Sequence, residues 1–528
     1  MSKKLLLGDE ALAQGAIDAG LSACYAYPGT PSTEIMEYVS QSEIAIQRNI
    51  HREWSCNEKV AMEEGLGMSY SGKRAMVCMK HVGMNVAGDG FINSAITGTN
   101  GGLIVAAADD PSMHSSQNEQ DSRFYAQFAM IPCLEPSNQQ EAYDMPQYAF
   151  ELSEKLQTPI LFRLTTRLSH SRADVELAGT ANVQNDMHLP ENPSRFILLP
   201  AIAKKNYQRH CEKQAEFLRL SNESPWNRYE DGPDHKLGIL TSSIAYNYVQ
   251  EAYNGKCPHP VLKISHYPLP DKKLARLMQE CDKILVVEEG MPFIETQLLG
   301  PLGNAKILGR LSGALPRTGE LNPRFVAIAC GLPTPDLLSA SELMKIRPPR
   351  LCKGCPHINS YEALNEAKKQ FPDCKVFGDI GCYTLGALPP FNAISTCVDM
   401  GASISMAKGA ADAGLYPAVA VIGDSTFTHS GMTGVLDAVW ENSPITIIIV
   451  DNYTTGMTGG QDSLGTGKLE DICKGLGVPA DHIKIITPVP ANHTENSAVI
   501  AKEMAWKGLS VIISRRECIQ TLRKKKKK

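Results

Sequence analysis

The chain has 528 residues, 43% of them hydrophobic and 21% charged. That is the composition of folded globular domains and excludes a disordered, collagen-like or coiled-coil chain; the length predicts about three to four domains. A formal net charge of −5 gives no general attraction for nucleic acid.

In chain order, Ser22–Tyr27 predicts a strand ending in the turn Tyr27-Pro-Gly-Thr-Pro31, followed by a helix over Thr33–Ser40. Asn57–Gly72 predicts a helix, with Val60, Ala61, Gly65 and Met68 at helical spacing. Arg74–Met79 predicts a strand, His81 opens a helix, and Gly102–Ala108 predicts a strand ahead of the polar loop Asp109–Asp121. A helix over Gln140–Leu156 and a strand over Ile160–Leu164 follow. Such alternation points to a parallel doubly wound sheet. Ala173–Pro233 breaks the pattern and predicts a linker carrying one surface helix, Ala203–Leu220. The alternation resumes at Leu237–Thr241, Val261–Ile264 and Lys283–Val287, and Arg347-Pro-Pro-Arg350 marks the next boundary. Strands are predicted again at Lys375–Phe377, Ala418–Ile422, Ile445–Val450 and Ser510–Ile513. The expected fold class is α/β, with three doubly wound domains: 1–185, then 236–345 after a linker over 186–235, then 346–520.

The 15 cysteines are odd in number and mostly sit in apolar runs, as at Cys78, Cys330 and Cys397. No secretory leader pattern opens the chain. The longest apolar stretches, Leu103–Ala108 and Pro444–Val450, are too short to cross a bilayer. The expectation is a cytoplasmic protein without disulfides, with most cysteines as apolar filler. Arg523–Lys528 brings six positive charges, and 521–528 is read as a solvated basic tail.

The most informative run is Val419-Ala-Val-Ile-Gly-Asp-Ser425, a buried strand leading into Gly423-Asp424-Ser425. A helix over about Gly431–Glu441 and the strand Ile445–Val450 follow, and Asn452 lies 29 positions after Gly423. Ligands of open parallel sheets bind beyond the carboxyl ends of the strands. Asp424, Asn452 and the nearby carbonyl of Thr454 offer hard oxygen donors suited to magnesium shared with a diphosphate. Gly423 would let backbone approach the phosphate. The spacing resembles the thiamine-diphosphate motif, Gly-Asp-x followed by Asn about thirty residues later.

Thiamine diphosphate also needs a carboxyl beside its aminopyrimidine ring, to favour the imino tautomer that deprotonates thiazolium C2. Glu58, at the start of the Asn57–Gly72 helix, is the candidate; alone, an acidic residue there would simply favour the helix dipole. Pro28 and Thr30, in the turn after the first strand, would line the substrate side, with the Thr30 hydroxyl as a donor. His81, after Lys80, would bind a substrate carboxylate or shuttle a proton; a structural role for it stays open.

Four stretches carry a family resemblance: Trp54-Ser-Cys-Asn-Glu-Lys-Val-Ala61, Met79-Lys-His-Val-Gly-Met-Asn85, Asp109–Asp121 and Gly378-Asp-Ile-Gly-Cys-Tyr-Thr-Leu-Gly-Ala387. They resemble the large (alpha) subunits of indolepyruvate ferredoxin oxidoreductases, within the 2-oxoacid ferredoxin oxidoreductase family, over nearly the whole chain. The resemblance implies that domains 1–185 and 346–520 are the pyrimidine and diphosphate domains, with a transketolase C-terminal-like domain between. It implies thiamine diphosphate, magnesium and iron–sulfur clusters, a smaller beta subunit in a hetero-oligomer, and oxidation of arylpyruvates to aryl-acetyl-CoA with ferredoxin as acceptor. In this reading Glu58, Thr30 and His81 are catalytic, Glu58 and Pro28 also bind the cofactor, and Ser425 and the backbone of Gly381, Cys382 and Tyr383 contact phosphate or thiazole.

Cys352-Lys-Gly-Cys355 alone fits a zinc half-site or a redox pair. The wider family holds a proximal [4Fe–4S] cluster with a Cys-x-x-Cys and two later cysteines, which implies Cys352, Cys355, Cys382 and Cys518 here. In the plainer alternative Cys382 only lines the cofactor and Cys518 is buried filler. The family usually continues into a ferredoxin-like domain with Cys-x-x-Cys-x-x-Cys runs. No such run occurs here, so distal clusters are expected to be absent unless another polypeptide carries them. The alternative functions are oxidation of another 2-oxoacid and non-redox thiamine-diphosphate decarboxylation.

Overall fold

The computed structural model describes residues 3–179, 182–334, 339–345 and 348–526, and it divides into two compact units, 1–338 and 339–528. Arg347, Lys527 and Lys528 lie outside the described residues. No helix among the described residues is long and apolar enough to cross a membrane.

Unit 1–338 holds two larger sheets. The first has seven strands, in spatial order His266–Tyr267, Cys133–Leu134, Ile160–Thr165, Leu103–Asp109, Ala75–Lys80, Ala23–Ala26 and His51–Trp54. All neighbours are parallel except His266–Tyr267. The central strand Leu103–Asp109 is buried at every residue, which is why it reads as an unbroken apolar run rather than an alternation. The chain order reverses between Ala23–Ala26 and Ala75–Lys80, since the strand made between them, His51–Trp54, lies on the far side of the first. This switch point opens a crevice at the carboxyl ends of those two strands.

The second sheet has five strands, in order Ile307–Leu308, Lys283–Val287, Leu237–Ser242, Val261–Ile264 and Arg228–Glu230, the last antiparallel. A buried ion cluster joins the two sheets. Arg163 donates to Asp109 at 2.6 Å, to Asp121 at 3.2 Å and to Glu135, while Arg123 pairs with Asp121 and with Glu288 at 2.9 Å. All six side chains are essentially inaccessible, so each charge relies on the others for the solvation it has lost.

Residues 186–235 are not the linker with one surface helix that polarity suggested. They form two helices, Pro200–Glu212 and Gln214–Glu223, and then the edge strand Arg228–Glu230. Phe217 and Ser221 are buried, and Ser221 Oγ donates to the carbonyls of His266 (2.9 Å) and Pro268 (2.5 Å). A few buried residues on otherwise charged helices anchor the segment to the body, a signal that average polarity hides.

Unit 339–528 is built on a six-stranded, wholly parallel sheet: Thr396–Cys397, Lys375–Gly378, Ala418–Gly423, Ile445–Asp451, Ser510–Arg515 and Ile483–Ile486. Its switch point lies between Lys375–Gly378 and Ala418–Gly423. The basic end departs from a plain solvated tail. Ile519–Lys525 is a helix, Lys524 Nζ donates to the Gly459 carbonyl at 2.8 Å and Lys525 pairs with Glu517 at 2.6 Å.

Candidate functional site

In unit 339–528 the strands Ala418–Gly423 and Ile445–Asp451 are parallel neighbours, with Gly423 opposite Val450. The residues that follow, Asp424 and Asn452, therefore emerge side by side at the carboxyl edge. Asp424 is 2% exposed, and its Oδ2 has no hydrogen-bond partner. Burial, and then the neighbouring Asp451, push its carboxyl up to about 7. Asp451 pairs with Arg515 at 2.7 Å but leaves Oδ1 unpartnered. Asn452 Oδ1 accepts from the Thr454 N–H at 3.1 Å, and its amide donates to His357 Nε2 at 3.2 Å. His357 is buried, burial lowers its pKa to about 4, and Nδ1 is unpartnered. The ring is thus neutral, and accepting at Nε2 places its proton on Nδ1. Several orphaned polar atoms at one sheet edge are rare in a native protein unless something outside the chain completes them.

Tyr383 forms the wall of this edge. Its hydroxyl donates to the Asp379 carboxylate, which also accepts from Ser403 Oγ at 2.7 Å. A Cβ on Gly381 or on Gly423 would stand 2.3 Å or 2.6 Å from the Tyr383 ring. Gly423 was expected to admit a phosphate; in this structure the space a side chain would fill is occupied by the aromatic ring. Ser425 Oγ lies 2.9 Å from Thr455 Oγ1.

The four cysteines come from three elements of this unit. Cys355 caps the helix Pro356–Lys368, Cys382 opens the 3-10 turn Cys382–Ala387, and Cys518 follows the last strand. Cys518 N–H donates to the Asn452 carbonyl at 3.1 Å, which ties this cysteine to the Asp-Asn edge. The thiols lie within electrostatic range of one another. Burial first, and then Cys352 and Cys518, push Cys355 up to about 11; burial, then Cys355, Cys518 and Cys352, push Cys382 up to about 12. No three of their sulfurs lie mutually within 4.8 Å. A single zinc ion would hold its sulfurs closer, at about 3.8 Å for Zn–S bonds of about 2.3 Å.

In unit 1–338, Glu58 is the first residue of the helix Glu58–Tyr70, with Asn57 Oδ1 capping the Val60 N–H at 2.9 Å. Glu58 is 6% exposed, and its carboxyl lies over Gly83, where a Cβ would stand 2.7 Å from Oε1. Glycine at 83 thus keeps room for Glu58 at the start of the helix Gly83–Thr97. Pro28 is buried, and the Thr30 carbonyl accepts from Ser115 Oγ at 3.3 Å. Lys80, whose pKa burial lowers to about 8, donates to the Ser115 carbonyl at 2.7 Å. His81 is fully buried beneath the same loop, with Nε2 3.3 Å from the Asn118 carbonyl and Nδ1 unpartnered. Pro28, Thr30, Glu58 and His81 thus flank the switch point of this unit, and Cys382 and Asp424 follow the two strands at that of the other, with Asn452 one strand further on. His357 and Asp379 escaped sequence reasoning. Cys355-Pro-His357 could have signalled the first, and Gly378-Asp379, a second strand-end Gly-Asp, the second.

Comparison with known proteins identifies both units. Residues 14–216 match the family described as "Pyruvate flavodoxin/ferredoxin oxidoreductase, thiamine diP-bdg", and residues 379–512 match "Thiamine pyrophosphate enzyme, C-terminal TPP binding domain". The chain is 38% identical to indolepyruvate oxidoreductase subunit IorA of Archaeoglobus fulgidus, covering 98% of this chain and 86% of that protein. It is also 38% identical to the same subunit of Thermococcus kodakarensis, covering 97% and 85%. Among solved structures, the 2-oxoglutarate:ferredoxin oxidoreductase of Magnetococcus marinus, with 2-oxoglutarate, coenzyme A and succinyl-CoA bound, shares the fold. It aligns with a TM-score of 0.50 at 17% identity, over 62% of this chain and 65% of that one. The chain belongs to the indolepyruvate oxidoreductase subunit IorA family, an oxidoreductase family built on thiamine-diphosphate-binding domains.

Proposed function

We propose that this chain catalyses thiamine-diphosphate-dependent oxidative decarboxylation of arylpyruvates such as indolepyruvate. In the overall reaction, arylpyruvate and coenzyme A give aryl-acetyl-CoA, carbon dioxide, a proton and two electrons. Ferredoxin takes the electrons singly, and a smaller beta subunit completes the hetero-oligomer. The observation that carries this reading is the paired strand edge of Asp424 and Asn452, with an orphaned buried carboxylate oxygen and Cys518 hydrogen-bonded to the same Asn452.

The donors fit the cofactor. Asp424, Asn452 and the Thr454 carbonyl would hold magnesium, which takes hard oxygen ligands and shares phosphates. Ser425 and the backbone of Gly381, Cys382 and Tyr383 would hold the phosphate and thiazole, with Gly423 leaving the Tyr383 ring in place. Thiamine diphosphate, when bound, supplies the nucleophilic carbon and electron sink for decarboxylation. Glu58 would exchange a proton with the aminopyrimidine ring, and Pro28 would line that side. The Thr30 hydroxyl and His81 would orient the substrate carboxylate. Cys352, Cys355, Cys382 and Cys518 would hold one [4Fe–4S] cluster, the first station for electrons; their mutual proximity favours this over a decarboxylase without redox chemistry.

The test is anaerobic assay of the assembled complex with indolepyruvate, coenzyme A and ferredoxin. Ferredoxin reduction that requires coenzyme A and prefers indolepyruvate over pyruvate and 2-oxoglutarate supports the proposal. Carbon dioxide release without any acceptor would mark a decarboxylase, and preference for an aliphatic 2-oxoacid would reassign the substrate.

A further inference from the structure

Away from the proposed cofactor residues, unit 1–338 gathers three ligand-type side chains from three helices. Asp9 lies in the first turn of Gly8–Asp18, Glu34 in that of Thr33–Gln41, and His170 ends Thr166–His170. One ligand atom from each lies within 4.8 Å of the other two. Asp9 is wholly buried and neither carboxylate oxygen has a hydrogen-bond partner. Ser169 stands close enough to favour the Asp9 charge but makes no hydrogen bond to it, and its own hydroxyl is buried and unpartnered. Burial pushes the Asp9 carboxyl up to about 8, so without a cation beside it the group is held as the neutral acid, its oxygens still bare.

We propose that Asp9, Glu34 and His170 form a binding site for one divalent ion of the zinc class. One imidazole and two carboxylates are a donor set that zinc and its neighbours accept. The separation of His170 from Glu34 suits it. Tetrahedral bonds of roughly 2.0–2.2 Å set ligand atoms about 3.4 Å apart. His170 Nε2 and Glu34 Oε2 are 3.4 Å apart, long for a charge-assisted hydrogen bond but matched to two ligands of one ion. Water or the Ser169 hydroxyl would take the fourth position. Of the three, Glu34 also lines an open cavity of about 520 Å³ with Glu10, Glu37, Glu43 and Lys4, whose acidic majority draws cations. A bound ion would pin the helix that begins just after the Tyr27–Pro31 turn, and so hold Thr30 in position.

The probe is Co²⁺, dialysed against the anaerobically purified full chain in excess Mg²⁺ and thiamine diphosphate, so that the Asp424–Asn452 edge does not take it up. Nitrogen and oxygen ligation gives weak visible bands, whereas thiolate ligation gives intense near-ultraviolet charge transfer, so binding at the cysteines is told apart. The wild type should hold about one Co²⁺ per chain with visible bands of the first kind. His170→Gln and Asp9→Asn should lose them, with affinity falling by at least ~100-fold, more than loss of an outer-shell partner costs. Should His170→Gln fail to fold, Asp9→Asn, which keeps the side-chain volume, decides alone. Absence of such bands in the wild type, or their survival in a folded variant, overturns the site.

Discussion

The carboxyl edges of the two large sheets share a plan and are finished in opposite ways. Each has a switch point where chain order reverses, and each places its predicted site residues there. In unit 1–338 the edge is nearly complete in itself. Asp110 accepts from the Ser115 N–H and hydroxyl, the Ser116 hydroxyl and the Thr166 hydroxyl, and Asp109 is held by Ser122 and Arg163. Among the described residues, His81 Nδ1, Asn118 Oδ1 and, at the end of the neighbouring strand, Thr165 Oγ1 are left over there. In unit 339–528 the edge leaves Asp424 Oδ2, Asp451 Oδ1 and His357 Nδ1 buried and unpartnered. The first edge is a preorganised wall that presents one carboxyl. The second is an open socket, with buried polar atoms that a ligand would complete. A fold can bear such local cost when occupancy repays it.

Four measurements would break or sharpen that contrast. Glu58→Gln keeps the shape of the wall and removes its carboxyl. Turnover of the assembled complex should fall by about 10²–10⁴-fold, with melting and cofactor binding unchanged. Wild-type turnover would move the catalytic carboxyl elsewhere. Arg163→Met breaks the buried ion cluster behind the wall and should destabilise the chain by about 3–5 kcal/mol in urea unfolding. A loss below about 1 kcal/mol would show that the cluster is not what joins the two sheets.

Asp424→Asn tests the socket in metal-free protein. The folded Asp424 carboxyl sits at about 7 against 3.8 for the unfolded chain, so the folded state holds the proton more tightly. Its contribution to stability is full below pH 3.8 and is lost as pH rises through 7. At pH above about 7, Asp424→Asn should therefore be more stable than wild type, by up to about 4 kcal/mol at ~1.4 kcal/mol per pH unit. An equal or lower melting temperature for the variant would contradict the orphaned carboxylate. Asp110→Asn, back in the wall, should cost about 1–2 kcal/mol through weakened hydrogen bonds and leave metal binding untouched. Altered magnesium affinity there would blur the contrast.

The socket was legible in the sequence where its chemistry is local. Gly423-Asp424 and Asn452 end two apolar runs separated by one helix, and parallel pairing then sets them side by side. Glu58 was legible only once that motif was in hand. The nearness of Cys518 to Asn452 depends on backbone continuing past Ser510–Arg515 alongside Asp451 and Asn452, a register that no spacing encodes. Arg163 and Asp109 were invisible as partners, being 54 positions apart with no periodicity linking them. Residues 186–235 misled because their anchoring side chains, such as Asn206, His210, Phe217, Ser221 and Asn227, are mostly polar and leave no apolar pattern.

The central claim is that Asp424 and Asn452 hold a diphosphate through magnesium. Titration calorimetry of thiamine diphosphate into the full chain, with and without Mg²⁺, tests it directly. Binding should require Mg²⁺ in the wild type and vanish in Asp424→Asn while the variant stays folded. Equal, Mg²⁺-dependent binding by wild type and Asp424→Asn would contradict the assignment.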